Sequence, residues 1–198
     1  MKNTVLLICL FFFVKTAAAQ TVSNDDFRSL IPFMQKEDYK SAFKASDKIL
    51  NATVNDSSNL RGIVTYMNLL ASAGMVSKGE MKYDDFEKNA KKYIGHYVVM
   101  SAHPCIDSTK MAYNSVKLQP DETGKVKGTV ATTNQAATRI LFFEYFDFEQ
   151  PVDPSDYVGK NVRCGGILED HKPNPNKTTV VVGRMYIKHA FINEMTPR

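Results

Sequence analysis

A single change in hydrophobic periodicity, close to Gly95, limits the folds that this sequence can adopt. Between Asn24 and about Ile94, apolar residues recur at spacings of three and four, the pattern of amphipathic helices. After Gly95, β-branched and aromatic residues alternate in short runs separated by Gly, Pro, Asn and Asp, which predicts strands. The expected fold is therefore α+β, with a helical domain over residues 20–95 and an antiparallel β-domain over residues 96–198.

Four short helices are predicted in the first domain, arranged as two antiparallel hairpins. Asn24 or Asp25 can cap the first helix, and Asp84 or Asp85 can cap the fourth. The third is expected to end near Gly74. The apolar positions that mark the four helices fall within residues 27–34, 39–50, 60–71 and 83–93.

Six short strands are predicted in the second domain. The turn over residues 119–124 joins two of them as a hairpin, with Gly124 at a position that requires positive φ. A small closed barrel and an immunoglobulin-like sandwich both fit this pattern, and the sandwich uses the first strand as its extra strand. The predicted strands cover residues 97–100, 111–118, 125–132, 138–148, 160–168 and 178–192.

Two stretches of the helical domain, residues 36–43 and 79–86, resemble the helical hairpins of tetratricopeptide repeats. In that family an aromatic and a small residue pack the two helices together, and Tyr39 and Ala42 match those positions. Asn89 stands where a second small residue is expected. The resemblance implies a repeat-like helical fold and a protein-binding surface, while an ordinary pair of helical hairpins accounts for the same pattern.

The end of the β-domain is similar to the fourth and fifth strands of an oligonucleotide/oligosaccharide-binding (OB) fold. Residues 162–168 alternate with a period of two through Cys164 and Gly166, and an apolar strand follows at residues 180–187. Glycines allow such strands to curl across a barrel corner. The resemblance implies a binding face on the second and third strands of the barrel.

Those two strands combine cationic and aromatic side chains. Bases and sugar rings stack on aromatic residues, and cations hold phosphates. The alternative interpretation is that these aromatic side chains are simply buried. We favour burial, because residues 140–148 carry apolar side chains on both faces, as in a central strand covered on both sides. The candidate ligand-binding residues are Lys125, Lys127, Arg139, Phe142, Phe143 and Tyr145.

A signal peptide is predicted at residues 1–19. Lys2 precedes an apolar run over residues 5–14, and Lys15 closes that run. The run is about half as long as the roughly 20 residues of a membrane-spanning helix. The small residues 17–19 fit a signal peptidase, so cleavage is expected after Ala19. The mature chain is then secreted or periplasmic, with no membrane span.

Cleavage would also change the charge balance. The formal net charge of +4 falls to +2, because Lys2 and Lys15 are lost with no acidic residue. A nearly balanced charge disfavours nucleic acid and anionic membranes as partners, since both usually bind concentrated Lys and Arg.

Two cysteines, Cys105 and Cys164, remain in the mature chain. In an oxidising compartment, such a pair either forms a disulfide or stays buried as two small apolar side chains. The sequence leaves both outcomes open.

No metal or cofactor motif is present. The four histidines include no pair at the i,i+4 spacing of a helical zinc site. His103, Cys105, Cys164 and His171 together offer zinc ligands, but they lack the close paired spacings of a structural zinc site. We therefore predict no metal and no cofactor.

Catalytic motifs are equally weak. The stretch over residues 103–107 contains His103, Cys105 and Asp107, but neighbours in sequence rarely form the geometry of a cysteine hydrolase. The sequence has no GxSxG, Walker A or GxGxxG motif. These observations predict no catalytic residues.

The leading expectation is an exported, non-enzymatic interaction protein of the cell envelope, whose helical hairpins bind a protein partner. The alternative is an OB-like barrel that binds an oligosaccharide or extracellular nucleic acid. An unrecognised hydrolase is third.

Overall fold

The computed structural model describes residues 20–195, which form four α-helices followed by a seven-stranded sheet. The α+β class and the order of helices before strands are confirmed. The helices are α1 (Asn24–Gln35), α2 (Tyr39–Ala52), α3 (Asn59–Ser77) and α4 (Tyr83–Lys91).

The helix starts differ from the predicted caps. Ser23 caps α1, and its hydroxyl accepts a hydrogen bond from the Asp26 backbone while the Asp26 carboxylate accepts one from Ser23. This reciprocal pair is a capping box. Lys82 precedes α4 without a side-chain capping bond, and Asp84 and Asp85 lie in the first turn, where they face the positive end of the helix dipole. Both cap predictions are therefore wrong.

The central helix α3 continues past Gly74, where the sequence predicted its end. A Cβ atom at Gly74 would lie 2.4 Å from carbon atoms of the Tyr39 ring, so glycine permits the ring to lie against the α3 backbone. Helix α3 contacts the other three helices as well as three of the strands. Buried residues therefore occur on all sides of α3, and the close contact with α2 outweighs the helix-breaking tendency of glycine.

The described residues form seven strands, one more than the sequence predicts. The short segment at residues 103–106 forms a strand that the periodicity did not predict, since it contains Pro104. The seven strands are β1 (Tyr97–Val99), β2 (His103–Ile106), β3 (Val116–Pro120), β4 (Val126–Thr133), β5 (Ile140–Phe148), β6 (Asn161–Pro173) and β7 (Val181–Glu194).

All seven strands belong to one sheet with the order β1-β6-β2-β3-β4-β5-β7. Because β6 also pairs with β7, strands β2 to β7 form a continuous ring of pairings. The pairs β2–β3 and β5–β7 are parallel, which corrects the expectation of antiparallel pairing throughout. A single sheet also differs from the two separate sheets of a sandwich.

Helices and sheet contribute to one continuous hydrophobic cluster. Phe86 of α4 contacts Phe142 of β5 with ring centroids 5.9 Å apart, and Tyr66 of α3 is buried against the sheet. The predicted division near residue 95 falls between α4 and β1.

The predicted signal peptide, residues 1–19, lies outside the described residues. Within residues 20–195, no helix is both long enough and apolar enough to cross a membrane.

Candidate functional site

Strand β5 divides its aromatic residues between two faces of the sheet. Phe142, Phe146 and Phe148 point inward and are at most 1% exposed. Phe143 and Tyr145 point to the outer face, where both are only partly buried. The expected burial therefore applies to the inner face, while the outer face leaves two aromatic rings accessible.

Pairing in the sheet aligns these rings with residues of the neighbouring strands. Lys117 of β3, Thr129 of β4, Tyr145 of β5 and Tyr186 of β7 occupy one row across the outer face. The rings of Tyr145 and Tyr186 stack, with centroids 5.1 Å apart and planes 12° from parallel. Cross-strand aromatic pairs of this kind form a rigid, flat surface.

A cavity of about 480 Å³ opens on this face beside Tyr145. Met111 and Tyr113, in the segment before β3, line it and are 93% and 53% exposed. A concave apolar surface with few polar groups is the usual form of a small-ligand site. The lining includes Met111, Tyr113, Lys117, Thr129, Phe143 and Tyr145. We call this surface the outer-face cavity.

Lys117 is the cation in the lining of the outer-face cavity, and two further cationic residues lie next to the aromatic residues of this face. The Lys172 Nζ atom lies 4.9 Å from the centroid of the Tyr186 ring, a cation–π contact. Arg184 of β7 is in register with Phe143 of β5. Asp170 approaches the Lys172 ammonium at 3.5 Å and partly neutralises it.

The candidate residues predicted from sequence do not all meet. Phe143 and Tyr145 line the outer-face cavity, whereas Phe142 lies in the core. The ammonium groups of Lys125 and Lys127 lie 2.6 Å and 2.7 Å from a carboxylate oxygen of Asp147. Hydrogen bonds from the two lysines lower the pKa of Asp147, and Lys127 also lies 3.7 Å from the Asp121 carboxylate, so two carboxylates pair with these two cations.

Arg139 is also separate from the cavity lining. Its guanidinium donates a hydrogen bond to the Thr138 carbonyl in the loop before β5.

Sequence reasoning missed Tyr186, Lys172, Lys117 and the segment with Met111 and Tyr113. A signal was present for Tyr186, because Arg184 and Tyr186 alternate with buried Met185 and Ile187 in β7. The segment with Met111 and Tyr113 carries no such signal, since the sequence predicts one strand over residues 111–118 and the strand begins only at Val116.

Cys105 of β2 and Cys164 of β6 are free thiols in the structure, and both are buried. Burial raises the pKa of each thiol, and the nearby Cys105 raises that of Cys164 further. A thiol with a raised pKa is a poor nucleophile. Formation of a bridge between them stays a prediction.

The residues weighed for catalysis and zinc lie on β2, on β6 and in the loop after β2. Asp107 accepts hydrogen bonds from the backbone and hydroxyl of Thr109. Burial lowers the pKa of His103. Among the described residues, His, Cys, Asp and Glu side chains form no group of three that could hold a metal ion.

A second concave surface lies on the helices, between α2 and α4. It encloses about 540 Å³. Its apolar wall consists of Phe43, Met75 and Met81, and Asn89 lies at its base, 3% exposed. The charged residues on its rim are Glu80, Lys82, Asp85, Lys88 and Lys92. We call this surface the α2/α4 groove.

Comparisons with protein-family models, with curated proteins and with solved structures gave no match. The geometry of the outer-face cavity and the α2/α4 groove therefore carries the functional interpretation alone.

Proposed function

We propose that this chain is an exported, non-enzymatic binding protein and that the outer-face cavity binds a ligand containing flat rings. The observation that carries the proposal is the stacked pair Tyr145–Tyr186 beside an apolar cavity. Export follows from the predicted signal peptide.

The ring of pairings from β2 to β7 supports a closed barrel of the OB type. The resemblance placed a binding face on the second and third strands, which correspond to β4 and β5. The outer-face cavity contains Thr129 of β4 and Phe143 and Tyr145 of β5. The tetratricopeptide-like interpretation of the helices draws support from the contact between Tyr39 and Gly74, an aromatic residue against a small one.

An oligosaccharide fits the outer-face cavity better than nucleic acid does. Nucleic-acid sites combine stacking with cations that are free to neutralise phosphates. Here Lys125 and Lys127 pair with Asp147 and Asp121, Asp170 approaches Lys172, and Lys117 is the single cation of the lining. Sugar rings need apolar faces to stack on and a few polar groups for their hydroxyls, and Thr129 and Lys117 in the lining supply such groups.

The test is a titration of residues 20–198 with a panel of neutral and acidic oligosaccharides and with single-stranded DNA. Tyrosine fluorescence reports binding, because the chain has nine tyrosines and no tryptophan. We expect a response to at least one oligosaccharide and none to DNA at physiological salt. Silence from the whole panel would refute the proposed ligand class, and a response to DNA alone would reverse the preference.

A second candidate function is docking of a protein partner of the cell envelope on the helices. The α2/α4 groove favours it, because an apolar floor with a charged rim is common in protein-binding surfaces. The test compares partners retained from envelope extract by the wild type and by the Lys88→Glu variant, with Lys91→Gln on the same helix as control. A partner lost only with Lys88→Glu would support docking in the groove, whereas identical retention by all three proteins would contradict it.

A further inference from the structure

We propose that the outer-face cavity binds a sugar ring that carries a carboxylate, with the ring stacked on Tyr145 and the carboxylate paired with Lys117. This inference rests on the function proposed for the cavity and names the class of sugar that it accepts. Two observations carry it. The aromatic stack has its free end at the cavity, and the described residues of the lining include one cation and no carboxylate.

The order of the strands determines which face of the aromatic stack can receive a ligand. The ring centroids of Tyr145 and Tyr186 are 5.1 Å apart, close to the spacing of about 4.8 Å between neighbouring strands, so the rings stand face to face along the sheet. Strand β7 lies between β5 and β6, and Lys172 of β6 approaches the Tyr186 ring from the side opposite Tyr145. The free end of the stack is therefore the face of Tyr145 that is directed toward β4.

The outer-face cavity lies at this free end. Thr129 of β4 and Lys117 of β3 line it together with Tyr145, whereas Tyr186 is outside the lining. Lys117, Thr129 and Tyr145 are in register, so two strand spacings, about 10 Å, separate the first from the last. A ring stacked at about 5 Å from Tyr145 takes up half of this distance. Such a ring lies above Thr129, and its far edge is directed toward Lys117.

The ammonium group of Lys117 is available to a ligand. It lies 3.8 Å from the sulfur of Met111, which is a weak hydrogen-bond acceptor. Because Met111 is 93% exposed and also lines the cavity, this ammonium lies at the cavity mouth. Within residues 20–195, Lys117 forms no ion pair.

Neighbouring charges do not cancel the charge of Lys117. A nearby cluster of two lysines and two carboxylates has no net charge, and its members are Lys125, Lys127, Asp121 and Asp147. The lysines of that cluster are already paired, so its carboxylates do not compete with a ligand for Lys117. The cavity therefore presents a single positive charge opposite an aromatic face.

A single unpaired ammonium matches an anion that carries one charge. A carboxylate has one negative charge at neutral pH, whereas a phosphate monoester has between about 1.5 and 2. Phosphate sites usually add a planar guanidinium or several backbone N–H groups, and the described lining contains no arginine. A neutral sugar would stack on Tyr145 equally well but would leave the ammonium without a counter-charge. A sugar acid uses both the ring face and the cation.

The experiment uses residues 20–198 and isothermal titration calorimetry. The ligands are trisaccharides that end in glucuronic, galacturonic or mannuronic acid, each compared with its own methyl ester, which has the same ring without the charge. We expect at least one acid to bind about fivefold more tightly than its ester, the effect of one partly exposed ion pair. Lys117→Gln should remove this difference and leave the affinity for the ester unchanged, because stacking on Tyr145 is retained.

The matched control is Lys160→Gln, which removes the same charge from a lysine that pairs with Glu194 outside the cavity lining. It should preserve the difference between acid and ester. Salt gives a second measurement on the unchanged protein. Raising the ionic strength from about 0.05 M to about 0.5 M should lower the affinity for the acid toward that of the ester, because salt screens partly exposed charges.

The outcomes separate this inference from the proposed function. Equal affinities in every acid–ester pair, or a difference that persists in Lys117→Gln, would overturn the preference for a carboxylate. Binding of neutral oligosaccharides in the wider panel would still support the proposed function in that case, because those ligands need no ion pair. Failure of all acids and esters to bind would also overturn the inference.

Discussion

The hydroxyl of Tyr66 in α3 donates a hydrogen bond to the carboxyl group of Glu144 in β5, at 2.8 Å. Glu144 is fully buried, and its second carboxyl oxygen has no partner within the described residues. The bond joins the central helix to the inner face of the sheet, where Thr132 of β4 is 3.3 Å from the Tyr66 hydroxyl. It therefore links the two parts of the molecule through a polar contact inside an apolar core.

Replacing Tyr66 by Phe should lower the free energy of unfolding by about 1–3 kcal/mol, because a buried carboxyl oxygen loses its donor. Urea denaturation at pH 7 measures this change. The matched control is the same substitution in a Glu144→Leu background, where the bond is already absent and the cost should be smaller. Equal costs in both backgrounds would show that the bond contributes nothing.

Glu144 and His171 have opposite responses to pH. Both are in register with Met185 of β7, on either side of it. Burial raises the pKa of Glu144 to about 8, and burial lowers the pKa of His171 to about 4. Neither ring nitrogen of His171 has a hydrogen-bond partner within the described residues, so the imidazole stays neutral in the core.

Between about pH 4.5 and 6.5, the folded state holds one proton on Glu144, and the unfolded state holds one on His171. The pair therefore adds no pH dependence to stability in that window. The Glu144→Gln variant retains only His171, whose folded pKa is lowered, so its stability should fall as pH falls from 6.5 towards 4. The slope should be roughly 1 kcal/mol per pH unit.

The His171→Leu variant retains only Glu144, whose folded pKa is raised. Its stability should fall as pH rises from 4.5 towards 8, again by roughly 1 kcal/mol per pH unit. Thermal unfolding of both variants and the wild type across this range measures the slopes. Parallel pH profiles for all three proteins would contradict the assigned pKa shifts.

Gly74→Ala should destabilise the protein although alanine favours helices. The added Cβ would lie 2.4 Å from the Tyr39 ring, and overpacking of this kind costs about 1–3 kcal/mol. The expected gain in helix propensity is only about 1 kcal/mol. Chemical denaturation gives the net change, and Tyr39→Leu in the same chain should reduce the cost by making room. A higher free energy of unfolding for Gly74→Ala than for the wild type would show that α2 and α3 can move apart without cost.

Ligand binding in the outer-face cavity should depend on the stacked rings. Tyr145→Ala should weaken binding of the responding oligosaccharide by about tenfold, since an aromatic contact is worth roughly 1 kcal/mol or more. Isothermal titration calorimetry measures the affinity. Val180→Ala, at a half-exposed apolar residue outside the cavity lining, is the control. Unchanged affinity in Tyr145→Ala would place the ligand elsewhere.

Cys105 and Cys164 should be protected from thiol reagents in the folded, reduced protein, because both are at most 1% exposed. Labelling with a chromogenic disulfide reagent should become rapid only after unfolding. In protein exported to an oxidising compartment, the intact mass distinguishes the two outcomes that the sequence leaves open, because a bridge lowers the mass by two hydrogens. Rapid labelling before unfolding would contradict the burial of the thiols.

Much of the fold could be predicted from local patterns. The helix and strand periodicities depend only on neighbours in sequence, so they identified α1 to α4 and every strand except β2. The end of α3 and the pairing of β5 with β7 could not be predicted this way. The Tyr39 ring of α2 packs where a side chain at position 74 would lie, so Gly74 serves a contact between helices and does not end α3. The parallel pair β5–β7 joins segments that are distant in sequence.

The candidate site shows the same division between local and tertiary information. Alternation along β5 was enough to separate an inner from an outer set of aromatic residues. Only the tertiary structure decided that Tyr186 stacks on Tyr145, that Asp147 pairs with both Lys125 and Lys127, and that hydrogen bonds link Asn89, Asn68 and Ser46 across three helices. Stacking, ion pairing and hydrogen bonding depend on distances between side chains from different elements, and a sequence specifies those distances only through the complete fold.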